Sequence, residues 1–229
     1  MRRIKLFIAV WTIGLLGGII FCILKFFKRI EVVGYERKKL IFPKKGLIVI
    51  YNHPSLYEPV LMPFLFFPWY LFNLRLVPFS VPDKRNFFDK WWFAPFRIFC
   101  IYIERENAKE ILRSMKLMIN KLNEGGIIII SPEGGRTFKG DRDDFRINRN
   151  RKIRKFKPGI EYLLKKSRVN ILPIWIDGGE KVIPNKISFS STSLCFPRIW
   201  EKVKITLGEP VKSSEINNVS DLEEKLLSV

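Results

Sequence analysis

The chain has 229 residues, 41 of them Lys or Arg and 22 Asp or Glu, for a formal net charge of +19, yet 47% of it is apolar and 14% aromatic. Disordered basic chains are poor in apolar residues, so 20 Phe and 6 Trp exclude a basic tail protein and call for a buried core, with length for one domain plus an appendage. Three cysteines without a C-x-x-C pair, and a single histidine, exclude a Cys/His zinc site and a disulfide framework; a reducing, cytoplasm-facing compartment is expected.

The charge is concentrated. Nine basic against two acidic residues give +7 in residues 1–39, and nine against three give +6 in residues 138–157, while residues 158–229 are nearly neutral. Such patches suit nucleic acid, anionic lipid or an acidic substrate or carrier. The N-terminal arm chooses among them, because Leu6 to Leu24 is nineteen residues without a charge, flanked by Arg2, Arg3 and Lys5 and by Lys25, Lys28 and Arg29. As a helix it reaches about 28 Å, close to the thickness of a hydrocarbon core. It lacks a small-x-small cleavage site and reads as a retained anchor. Its balanced basic flanks leave both a span and an in-plane helix or hairpin open.

After the arm, the apolar run from Gly46 to Tyr51 reads as a strand that ends at Asn52-His53-Pro54, a tight turn opening a helix. Val60 to Leu74 is uncharged and rich in Phe, broken by Pro63 and Pro68, and reads as a lipid-facing wall, an acyl-chain slot or plain core. Apolar residues at 108, 111, 112, 115, 118, 119 and 122 predict a helix, with Asn107 and Glu110 as its capping pair. Gly126 to Ser131 and Val169 to Ile176 read as buried strands, and Val203 to Leu207 as a half-exposed one. Lys157-Pro158-Gly159 opens a helix to about Lys166, and Ser220 with Glu223 is expected to cap the last. This alternation predicts an α/β fold, a mixed sheet with flanking helices, preceded by a membrane-associated helical arm; the expected division is 1–39 and 40–229.

The only histidine, His53, stands five residues before Glu58 across the expected turn. A carboxylate there can accept a bond from one imidazole nitrogen and leave the other free to take a proton, an arrangement suited to activating a substrate hydroxyl. Taken alone, a lone histidine is as often a capping or core residue.

The pattern does not stand alone. His53 to Glu58 resembles the H-x-x-x-x-D block of the glycerolipid acyltransferases, the family of 1-acylglycerol-3-phosphate acyltransferases. Phe99-Cys-Ile-Tyr-Ile-Glu-Arg105 is similar to that family's second block, G-x-x-F-I-D-R. Ser131-Pro-Glu-Gly-Gly-Arg-Thr137 is similar to its third, F-P-E-G-T-R-S, and Ile171 to Trp175 to its fourth, a strand with a central proline. The resemblance runs from about Gly46 to Gly208-Glu209-Pro210, and three positions depart from it: Glu58 stands for aspartate, Phe99 for glycine and Gly135 for threonine.

The resemblance implies acyl transfer from a thioester, acyl-CoA or acyl-carrier protein, to the free hydroxyl of a lysophosphatidic acid, giving phosphatidic acid in phospholipid biosynthesis. It implies His53 and Glu58 as the base and its partner, Arg105 and Arg136 on the acceptor phosphate, and Glu133-Gly134-Gly135 as a turn where backbone approaches a ligand closely. A surface ion pair with Glu133 is the alternative for Arg136. No metal or organic cofactor is required. The stretch Phe138 to Lys157 is expected to meet an anionic membrane surface, the phosphates of CoA or an acidic carrier, or else to be a solvated loop. The expected setting is a membrane, with the catalytic domain on its cytoplasmic side. Two other readings stay open: another acceptor, such as glycerol-3-phosphate or a different lysolipid, and a non-catalytic basic protein for membrane or nucleic acid. The apolar arm and the ordered blocks count against a nucleic-acid partner.

Overall fold

The uncharged N-terminal run folds as a rod of helix. In this computed structural model, which describes residues 2–37, 46–56, 58–138, 144–148, 150–183 and 198–229, it comprises α1 (Arg2–Ala9), a π-helical stretch (Val10–Gly14) and α2 (Leu15–Phe26). Residues Arg3–Phe26 are long and apolar enough to cross a membrane by length and composition. The rod is docked on the protein by its smallest residues: Tyr70 Oη donates to the Gly14 carbonyl at 2.8 Å. A methyl group at Gly17 or Gly18 would collide with the rings of Phe64 and Phe67. Small residues let the rings lie directly on the helix backbone.

The chain then enters the sheet. β1 (Ile30–Val33), β2 (Leu47–Tyr51), β3 (Pro78–Ser80), β4 (Ile127–Ile130), β7 (Asn170–Asp177) and β8 (Val203–Leu207) form six strands in the order β1-β8-β7-β2-β4-β3. β2 runs parallel to both β4 and β7, with Val49 opposite Ile129 and Leu172, and only β7 and β8 are antiparallel. Strands covered on both faces need apolar side chains on both, which is why Leu-Ile-Val-Ile-Tyr in β2 and four isoleucines in β4 are buried throughout. Between β2 and β3 lie α3 (Glu58–Leu61) and α4 (Trp69–Phe72) with short 3-10 turns, the proline-broken apolar stretch.

α5 (Ala108–Asn123) packs Met115, Met118 and Leu122 inward. Its cap is half of the expected pair: Asn107 Oδ1 accepts the Lys109 and Glu110 amides, whereas the Glu110 carboxylate accepts the Tyr102 hydroxyl at 3.0 Å. β5 (Phe145–Asn148) and β6 (Arg151–Arg154) form an antiparallel hairpin, followed by α6 (Gly159–Ser167), α7 (Gly179–Val182) and α8 (Val219–Leu227).

Two expectations are corrected, for the last helix cap and the basic stretch, and the sheet takes in one strand not expected. The last helix is capped by Asn218 and Asp221, because it starts two residues earlier than expected; Glu223 is buried and accepts the Phe156 amide at 2.7 Å and Arg146 Nε at 3.0 Å. β1 lies within the expected arm yet pairs in parallel with β8, so the sheet takes in residues 30–33; the expected boundary between 39 and 40 lies outside the described residues. The basic stretch contains a hairpin, which its dense charge conceals, since only Phe145, Ile147 and Ile153 signal alternation there.

Candidate active site

β7, β2 and β4 are neighbours and parallel, so their C-terminal ends open on one edge of the sheet, where open α/β sheets place their sites. β2 delivers Asn52 and His53 there, β4 delivers Ser131 to Arg136, and β7 delivers Asp177 to Gly179. Asn52 fastens the first to the third: its amide donates to the Ile176 carbonyl at 2.9 Å and its Oδ1 accepts the Ile176 N–H at 2.7 Å. The clip continues the β2–β7 register beyond the strand and leaves His53 no freedom to slide.

His53 Nδ1 lies 2.9 Å from Glu58 Oε2. Glu58 opens α3 and is fully enclosed, with Ser55 as its second partner: the Ser55 amide donates to both oxygens at 3.1 and 3.2 Å, and Ser55 Oγ donates to Oε1 at 2.8 Å. A carboxylate so held accepts Nδ1–H and orients the ring, and Nε2 is then the nitrogen that can take a proton. The extra methylene of glutamate reaches the ring because residues 54–56 form a bend and the helix begins at Glu58 itself. Tyr51 packs edge-on against the imidazole, ring centres 6.1 Å apart, and burial holds its phenol well above its ordinary value, so it serves as a neutral wall.

The turn after β4 grips the same histidine from the other side. Glu133 Oε1 accepts the His53 amide and Thr137 Oγ1, both at 2.9 Å, and Oε2 accepts the Arg154 amide at 2.9 Å. The Thr137 amide donates to the His53 carbonyl at 2.8 Å, and Arg154 Nε donates to the Thr137 carbonyl at 3.1 Å. Glu133 is therefore a buried tie between β2, its own turn and the hairpin. Burial pushes its carboxyl up from the ordinary value, and the bonds from Arg154, His53 and Thr137 pull it back. Gly134 has φ +70, a left-handed conformation that suits glycine, and its carbonyl accepts Arg105 Nη1. Arg105 also meets Asp83 at 3.2 Å and is half-exposed. Arg136 is buried; desolvation draws its guanidinium down from the ordinary value, against the pull of the Glu58 carboxylate.

The structure thus gathers His53, Glu58, Glu133, Gly134 and Arg136 around one strand edge, and Arg105 reaches the Gly134 turn from the loop before α5. Ser55, Thr137 and Arg154 belong to the same network and escaped the sequence reading. Ser55 and Thr137 sit inside the first and third blocks, where a hydroxyl near a carboxylate was the available signal; Arg154 carried none, hidden among eight other basic residues. Arg154 is buried, Arg146 pairs with Glu223, and Arg151 donates to the Leu227 carbonyl and lies over the Trp175 ring. These three arginines hold the hairpin to the core, so the stretch is no simple solvated loop. Lys139, Arg142 and Arg149 lie outside the described residues.

Directly after Glu58, Pro59 and Val60 open an apolar pocket whose wall includes Ile13, Phe64, Phe96 and Phe99. It lies between Pro59 and Val60, which follow Glu58 in the chain, and Ile13 and Gly14 of the N-terminal helix. That helix leaves Ile4, Phe7, Ile8, Leu16 and Phe26 exposed on its far side.

The chain is also similar to known proteins. The family model described as Acyltransferase matches residues 29–177. A probable 1-acyl-sn-glycerol-3-phosphate acyltransferase of Mycoplasma pneumoniae is 22% identical over 178 residues, covering 77% of this chain and 61% of that protein. One of the same name from Mycoplasma genitalium is 28% identical over 154 residues, covering 67% and 51%. The chain thus spans between half and two thirds of the length of these relatives. In fold it is similar to the crystal structure of the 1-acyl-sn-glycerophosphate (LPA) acyltransferase PlsC from Thermotoga maritima, with a TM-score of 0.57 and 22% identity over 93% of this chain and 72% of that one. With 149 of its 229 residues within the family model, the chain belongs to the acyltransferase family, among relatives of glycerolipid type.

Proposed function

We propose that the protein transfers a fatty acyl group from acyl-CoA or acyl-carrier protein to the free hydroxyl of 1-acyl-sn-glycerol-3-phosphate, giving phosphatidic acid. The observation that carries this reading is the 2.9 Å contact between His53 Nδ1 and the enclosed Glu58 carboxylate. His53 Nε2 takes the proton of the acceptor hydroxyl as its oxygen attacks the thioester carbonyl. Glu58 stabilises the imidazolium so formed. Collapse of the tetrahedral intermediate breaks the carbon–sulfur bond, and the imidazolium returns the proton to the departing thiolate. Arg105 and Arg136 hold the acceptor phosphate, where paired guanidinium donors match its oxygens. Glu133 acts by holding the turn, since both of its oxygens are engaged.

The apolar pocket beyond Pro59 takes the acyl chain, and Phe99, in the place of the family's glycine, narrows its wall. The helix of residues 3–26 lies in the plane of the bilayer surface with its exposed face down. Support for this orientation comes from Tyr70, Phe64 and Phe67, which cover the middle of the other face and would otherwise sit in hydrocarbon. Of the basic stretch, Lys155 and Lys157 have exposed side chains while their amides donate to the Asp144 and Pro132 carbonyls, and they are its candidates for anionic headgroups or donor phosphates.

The test is release of free thiol from oleoyl-CoA or oleoyl-carrier protein in the presence of lysophosphatidic acid. His53→Ala removes the base and should lower turnover by about 10³-fold, within the usual range for general-base catalysis. A His53→Ala variant with wild-type turnover overturns the mechanism. A screen of glycerol-3-phosphate and other lysolipids in the same assay identifies the acceptor.

A further inference from the structure

Gly179 follows β7 at the strand edge and is buried. The preceding residue, Gly178, has φ +84, and a methyl group there would strike the Lys202 carbonyl, so its glycine is explained by the turn itself. Gly179 is different, since its φ lies outside the left-handed region and its backbone admits any residue. What it lacks is space. A methyl group on Gly179 would run into Glu58 Oε1, and would come within 3.3 Å of Pro54 Cγ and 3.5 Å of Ser55 Oγ.

Glu58 Oε1 is the end of a side chain, but it has nowhere to go. The residue is fully enclosed, its Oε1 accepts both the amide and the hydroxyl of Ser55, and its Oε2 faces His53 Nδ1. Any retreat from position 179 strains those bonds and turns the carboxylate away from the ring. The distance is also not adjustable from the other side, because Asn52 locks β2 to Ile176, three residues before Gly179. We propose that Gly179 is a positioning residue for the candidate catalytic pair: its missing side chain forms the floor of the seat that holds the Glu58 carboxylate against His53. Residue 179 and the length of the acidic side chain at 58 are a matched pair, so that a methyl group at 179 is accommodated by an acid one methylene shorter at 58.

The inference rests on the reading of His53 and Glu58 as the catalytic pair, and two readouts separate the two. His53 is the only histidine of the chain, so ¹⁵N-labelled histidine reports its tautomer without ambiguity and without any turnover. In the wild type the proton should reside on Nδ1; in Gly179→Ala the two ring nitrogens should move toward a mixed population. In the thiol-release assay, Gly179→Ala should lower kcat by about 10²-fold with the KM of donor and acceptor within twofold, as expected when an orienting acid is displaced from its base. Combining Gly179→Ala with Glu58→Asp should recover at least tenfold of that loss and return the Nδ1 signal. Should Gly179→Ala fail to fold, the double variant should fold and melt as Glu58→Asp alone does. A Gly179→Ala protein with wild-type kcat and tautomer overturns the seat, as does a double variant no better than Gly179→Ala in activity and folding. A full-activity His53→Ala variant overturns the catalytic reading instead, while the tautomer measurement still decides the seat.

Discussion

At the β2–β4–β7 edge, two carboxylates are buried with their oxygens engaged. Glu58 is held by Ser55 and His53, and Glu133 by the amides of His53 and Arg154 and the hydroxyl of Thr137. On the N-terminal helix the reverse holds: its inner face meets aromatic rings through glycines, while Ile4, Phe7, Ile8, Leu16 and Phe26 face outward uncovered. The difference teaches where each region draws its stability. A charge inside the protein is tolerable only with its partners in place, so the edge is rigid and intolerant of single changes. An apolar face without a protein cover gains from any apolar phase it touches, about 25 cal/mol per Å² removed from water, so the helix stays soluble-facing only at a cost.

The contrast breaks first at Glu133. Glu133→Ala leaves three donors unpaired and should destabilise the fold by about 3–5 kcal/mol, the range for a broken buried charged contact, with loss of turnover; thermal melting measures it. Survival of the wild-type melting temperature would mean that the tie is dispensable. Next, changing Phe7 and Ile8 together to Ser should weaken binding to anionic vesicles by about tenfold in a sedimentation assay while leaving the melting temperature within a few degrees, because both side chains are exposed. The same change at Val10 or Phe21, which are buried, should instead lower the melting temperature.

A smaller effect is expected where the two regions meet, in the apolar pocket. Phe99→Ala should shift donor preference toward longer or bulkier acyl chains by a few fold in kcat/KM, read by competition between donors, as removal of ring volume from a hydrophobic slot commonly does. The smallest effect is chemical. Burial pushes the Cys100 thiol up to about 12, so its thiolate is not formed at pH 8 and Cys100 should resist maleimide in the folded protein, reacting only once the protein unfolds. Labelling of native Cys100 at pH 8 would show that the pocket wall opens freely.

Neutralising Arg149, Arg151, Lys152 and Arg154 together is a poor probe of lipid binding. Arg154 is buried and Arg151 lies on Trp175, so their loss removes packing along with charge. Lys155 and Lys157, both exposed, are the better pair to neutralise.

Much of this molecule was legible in its amino acids. The continuous apolar runs of β2 and β4, the 3.6-residue spacing of α5 and the turn residues between them specify an α/β fold because period and burial are local properties of a chain. The pairing of His53 with Glu58 could be suspected because five residues separate them. The short strands β1 and β3 and the hairpin could not: each has three or four residues, charge in β1 and the hairpin masks their alternation, and β3 is too short to show one until neighbours supply the missing partners. Likewise the sequence alone presents Arg146, Arg151 and Arg154 as a solvated basic run, and only the packing of the hairpin on α8 and the core assigns them to Glu223, Leu227 and Thr137. The chain by itself determined which residue types could perform acyl transfer and the order in which they come. The tertiary structure decided their roles, because the Asn52 clip, the Glu133 tie and the gap at Gly179 are contacts between strand ends far apart in the chain, and such contacts exist only once the sheet has brought β2, β4 and β7 side by side.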